Sequence, residues 1–105
     1  MKEFIYQLIL EDRLFQAENW TDQDEQHVSK HFMHLQSLLD ENLLILAGKT
    51  AGLNNDTYGI VIFRAKDLKD AQAIVQSDPA VISGIMSAHL QEYNVALYNP
   101  DYKKE

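Results

Sequence analysis

Apolar residues recur along this chain with two different periods, and the order in which those periods alternate is the strongest constraint on its fold. In FIYQLIL, Phe4, Tyr6, Leu8 and Leu10 fall on one side of an extended segment and Ile5, Gln7 and Ile9 on the other, the period-two pattern of a strand. Thr21 then stands before Asp22, Asp24 and Glu25. Its hydroxyl can accept from a first-turn amide, and the acids sit at the positive end of a helix dipole. This predicts a helix running to about residue 42. Residues 43–47, LLILA, form a short apolar run closed by Gly48, which predicts a strand buried on both faces. Gly52 and the Asn54, Asn55, Asp56 cluster mark 49–57 as a loop. Residues 58–63 are rich in β-branched and aromatic types, the composition of a third strand. Leu68, Ala71, Ile74 and Val75 return to helical spacing, and that helix must stop before Pro79, because the residue preceding proline is pushed out of the helical region. Tyr93, Val95 and Leu97 alternate with Asn94 and Ala96, so a fourth strand is expected over about 88–98, with a polar tail at 99–105.

The order strand, helix, strand, strand, helix, strand implies an α+β, ferredoxin-like βαββαβ domain over residues 1–98. Its four-stranded antiparallel sheet would carry both helices on one face. The other face would present Ile5, Ile9 and alternate residues of the central strands to water, so a homodimer paired through the sheet faces is expected. At 105 residues the chain is the size of one small domain, and 46% hydrophobic with 24% charged residues is the balance of a globular protein.

Nine basic residues against sixteen acidic ones give a net charge of −7. Such a field repels the phosphate backbone and anionic lipid surfaces, so neither nucleic acid nor membrane is an expected partner. The chain has no cysteine, which excludes disulfides, thiolate zinc sites and a cysteine nucleophile, and suits a cytoplasmic location. FIYQLIL is closed by Glu11, Asp12 and Arg13, too soon for a signal peptide or a membrane span. Gly48-Lys49-Thr50 has the ending of a phosphate-binding loop without the first glycine, which such a loop requires five residues earlier, where this chain has Leu43.

Three of the four histidines lie in HVSKHFMHL, residues 27–35. At about 100° per residue, Val28, Phe32, Leu35 and Leu39 define the expected buried stripe of the helix. His31 falls on its edge, with His27 and His34 progressively further toward solvent. A half-buried imidazole is the one most easily tuned near neutrality. The i, i+4 and i, i+3 spacing alone does not make a metal site, and Val28 occupies the place of the glutamate in a HExxH helix. No metal or other cofactor is expected. Asp78, in Ser77-Asp78-Pro79-Ala80-Val81, has the form of an N-cap with proline at the first helical position, and its second oxygen leaves it free to accept elsewhere. Trp20, in the connection before the first helix, is expected to anchor that loop by packing.

Several stretches together resemble the YciI-like, or YCII-related, family of small dimeric α+β barrel proteins. They are FIYQLIL, the helix segment HFMHLQSLL leading through DENLLILAG, the strand GIVIF, and SDPAVISG. The resemblance spans roughly residues 3–98. It implies a ferredoxin-like protomer, dimerisation through the sheet faces, and a cavity between helix and sheet that holds a small organic ligand. It also implies a polar pair made by the histidine of the first helix and the aspartate of the Asp-Pro step, here His31 and Asp78. One member of the family is a dehydrochlorinase acting on a chlorinated hydroquinone. Gly48, Lys49, Tyr6 and His89 are the expected substrate-binding residues. This chain departs from the family pattern at Lys49, where proline is usual, at Asn42, where glycine is usual, and at His89, where many members carry glutamate.

A carboxylate that accepts from one imidazole nitrogen fixes the tautomer and makes the other nitrogen a base. The resemblance therefore implies a cofactor-free enzyme of lyase, isomerase or hydrolase type with His31 and Asp78 as its catalytic pair. The alternative is a non-catalytic dimer that binds or senses a small ligand. A third reading leaves Asp78 as a helix cap and His31 as a helix-edge packing residue.

Overall fold

The computed structural model describes residues 1–105. Strand β1 (Lys2–Leu10) leads through two short 3₁₀ turns into helix α1 (Asp22–Asp40), followed by β2 (Leu44–Lys49) and β3 (Gly59–Ala65). Helix α2 (Leu68–Gln76), the single turn α3 (Pro79–Ile82) and β4 (Met86–Glu92) complete the chain. The sheet order is β2-β3-β1-β4 with every pairing antiparallel. This is the ferredoxin-like α+β arrangement.

The alternation in β1 decides which residues make the core. Phe4, Tyr6 and Leu8 face the helices and are buried with Val61, Phe63 and Ala65 of β3, Leu35 and Leu38 of α1, and Ala71 and Val75 of α2. The Phe63 ring meets Tyr6 edge-on at 5.6 Å and Phe4 at 5.8 Å, near the geometries aromatic pairs prefer. A smaller cluster of Leu14, Ala80 and Ile85, with Trp20 and Val28 packed against it, closes one end. On the opposite face Ile5 pairs with Ile62, Gln7 with Ile60 and with His89, and Ile9 with Ser87. No helix of the chain covers that face, and none is long and apolar enough to cross a membrane.

Helix α1 begins as its sequence requires. Thr21 Oγ1 accepts from the Asp24 amide while Asp24 Oδ2 accepts from the Thr21 amide, a reciprocal capping box. The helix ends at Asp40, and Asn42 takes the left-handed conformation at φ 60° that releases the chain into β2.

Four expectations change. β2 is an edge strand paired only to β3, so Leu46 is half exposed and Ala47 to Lys49 are open, where burial on both faces was expected. β3 starts one residue later than expected and runs on to Ala65. β4 occupies 86–92 instead of 88–98, because regular pairing with β1 stops near that strand's start: Glu92 already pairs with Phe4, and beyond it the Tyr93 amide reaches the Glu3 carbonyl while the Val95 amide donates to the Glu3 side chain instead of to the backbone. Finally, the buried stripe of α1 is turned by roughly 50° from the expected one, toward His31. Leu38 is buried, Phe32 and Leu39 are about 60% exposed, and His27 and His34 are half-buried. The contacts of α1 with α3 and β2 set this rotation; the apolar pattern of the helix alone does not contain it.

Candidate functional site

Asp78 is where three elements meet. It caps α3, its Oδ1 accepting from the Ala80 amide at 3.0 Å with Pro79 as the first helical residue. From the sheet below, the Tyr6 hydroxyl donates to Oδ2 at 2.8 Å. From α1 above, His31 Nδ1 lies 2.7 Å from Oδ1 and 2.8 Å from Oδ2. Asp78 is fully buried and the His31 side chain is 12% exposed. A carboxylate has no proton to give, so Nδ1 carries the hydrogen, and Nε2, which has no partner in the chain, offers a free lone pair whenever the ring is neutral.

Burial pushes the Asp78 carboxyl up, but the hydrogen bond and charge of His31, with the Tyr6 hydroxyl and the Ala80 amide, outweigh it and hold the group below the ordinary carboxylate range. The Tyr6 phenol is pushed far up by burial and by the adjacent Asp78 charge, so it is a neutral donor at any physiological pH.

The His31 ring lines a cavity of about 380 Å³ between α1 and the β2–β3 side of the sheet. Leu8, Val61 and Leu35 form its apolar inner wall, while Trp20, Phe32 and Tyr58 bring aromatic rings to it. Gly48, Lys49 and Gly59 line it along the β2–β3 hairpin. No Asp or Glu is part of the lining. The volume is at the small end of the range of ligand sites and the lining is mostly apolar with few polar groups, the usual character of such sites. No three His, Asp or Glu side chains are grouped to hold a metal ion.

The expected site residues are therefore brought together in part. His31 joins Asp78, and Gly48 and Lys49 lie on the same cavity. Tyr6 is different. It points into the core and is fully buried, and its hydroxyl holds Asp78 without touching the cavity. His89 is also misplaced: it pairs with Gln7 on the open face of the sheet, since strand parity puts it opposite Ala88 and Leu90. Trp20 does anchor its loop, donating to the Leu14 carbonyl at 2.9 Å, and it lines the cavity as well.

One cluster escaped the sequence reading. Arg13 makes a two-pronged ion pair with buried Asp24 at 2.8 and 2.7 Å and also donates to the Asn19 carbonyl, clasping the loop that carries Trp20. The Arg13 hydrogen bond, aided by the Thr21 amide, holds the Asp24 carboxyl well below the usual range. The sequence signal was available only as an acid at the third position of a helix, where capping already accounted for it.

The fold is similar to that of 5-chloro-2-hydroxyhydroquinone dehydrochlorinase from Burkholderia phenoliruptrix, solved in complex with 2,5-dihydroxybenzoquinone. The TM-score is 0.65 over 88% of this chain and 93% of that one, at 17% sequence identity, a likeness of fold. No curated protein sequence matches the chain. The model of the YCII-related domain matches residues 5–93, and the chain belongs to that family.

Proposed function

We propose that this protein is a cofactor-free enzyme acting on a small organic molecule, of lyase, isomerase or hydrolase type, with His31 as general base and Asp78 as the residue that orients it. The observation that carries this reading is the placement of His31: Nδ1 is held by both oxygens of a buried carboxylate, and the ring lines an apolar cavity with Nε2 unengaged. In an elimination, Nε2 takes a proton from carbon, the C–H electron pair becomes the new double bond, and the leaving group departs with its own pair. Loss of HCl, the reaction in the neighbour's name, has this form. Positioned general bases contribute about 10² to 10⁴ in rate.

A mixed library of small haloaromatic and hydroxyaromatic compounds, incubated with the protein and followed by mass spectrometry, is expected to show depletion of at least one compound. Compounds that raise the melting temperature without any being consumed would replace the enzyme with a ligand-binding or sensing module.

The same proposal includes a homodimer paired through the open sheet faces. Its support is the uncovered sheet face that carries the partly exposed Ile5 and Ile60 and the exposed Ile9, the last 39% exposed. Sedimentation equilibrium should give a two-chain species that Ile9→Lys dissociates; a monomeric wild type would reject it.

A further inference from the structure

We propose that the cavity takes a small planar organic anion, a single aromatic or quinone ring bearing one acidic group, and that Lys49 selects for its charge. The inference rests on the cavity being the ligand site and is independent of whether chemistry occurs there.

Strand parity places Lys49 on the cavity side of the sheet. Ala47 pairs with Val61, which is buried beneath α1, and Lys49 lies two residues further along on the same face, paired with Gly59. Its Nζ is steadied by the carbonyls of Thr50 at 2.7 Å and Gly52 at 3.1 Å. An ammonium has three N–H donors, so one remains. In a chain with sixteen acidic residues, no carboxylate lies within ion-pair distance of Lys49. A cation left without a counter-charge at an otherwise apolar cavity is suited to receive one from a ligand.

The walls specify the rest of the molecule. Trp20, Phe32 and Tyr58 offer aromatic surface to a flat ring. Gly59 lines the sheet side of the cavity and adds no side chain to it. Lys49 lies two strands across from Tyr6, roughly 10 Å, and about 7 Å along the strands from the row Tyr6, Val61, Ala47. A ring whose acidic group meets Lys49 can thus present its other side toward His31.

Benzoate and benzamide are nearly isosteric and differ in charge, so they isolate the role assigned to Lys49. Titration of the full chain by NMR is expected to show benzoate binding about fivefold tighter than benzamide, the size of effect a solvent-accessible ion pair gives. Lys49→Met should abolish that preference with benzamide affinity retained, and Lys49→Arg should restore it. Equal affinities in the wild type, a preference that survives Lys49→Met, or no binding of either compound at tens of millimolar would overturn the proposal. Charge selection in a protein that consumes no compound would uphold it while removing the general base.

Discussion

His31→Gln is expected to lower turnover by about 10² to 10⁴-fold while the protein remains folded. Glutamine keeps an N–H to offer Asp78 but has no basic lone pair for the cavity, so the substitution removes the proton acceptor and spares the buried contact. His31→Ala is a harsher change. It removes from the fully buried Asp78 carboxylate one of its three hydrogen-bond donors, leaving Tyr6 and the Ala80 amide, and a hydrogen bond to a charged group is worth about 1.5–3 kcal/mol. A lower thermal midpoint for His31→Ala than for His31→Gln, with both inactive on any substrate found, is the expected pattern. Full activity in the glutamine variant would remove His31 from the chemistry.

Asp78→Asn should cost about 10³ to 10⁴ in turnover by a different route. The carboxylate accepts from His31, Tyr6 and the Ala80 amide at once. An amide has one accepting oxygen, which Tyr6 and Ala80 would both claim, and its NH₂ would then face His31. Nδ1 becomes the acceptor, the ring proton moves to Nε2, and the base is lost to the wrong tautomer, the effect known for the aspartate of serine-protease triads. Asparagine caps helices about as well as aspartate, so α3 should persist. Imidazole ¹⁵N shifts report the tautomer directly; an unchanged Nδ1–H form or activity within tenfold of wild type would refute this account.

The same substitution has a pH signature. The folded-state pKa of Asp78 lies below its unfolded value, so its contribution to stability is present above the unfolded value, about 3.9, and is lost as pH falls through the lower folded one. Asp78→Asn should therefore be less stable near neutrality and show a shallower loss of stability below about pH 4.

How much of this was legible in the chain differs from element to element. The strand from Phe4 to Leu10, the Thr21 cap, the left-handed Asn42 and the Asp-Pro start of α3 are all local, set by backbone sterics and hydrogen bonds within a few residues, and each occupies its expected place. The boundaries of β2 and β4 are not local. An apolar run reads alike in an edge strand and a central one, and only pairing tells where a strand stops.

The site divides in the same way. Parity in β1 put Tyr6 on one face with Phe4 and Leu8, but only packing turned that face into the core and brought the hydroxyl onto Asp78. Helical periodicity placed His31 on a stripe edge, whereas its contact with Asp78, 47 residues away, was implied by family resemblance and not by spacing. His89 has the residue type of a site and the strand parity of the open face, and the parity prevailed. The sequence by itself determined the order of elements and which residues share a face, because periods of two and about 3.6 are properties of the backbone. The tertiary structure decided which face is covered, how far α1 is rotated and which distant groups hydrogen-bond, because those depend on surfaces that exist only once the elements pack.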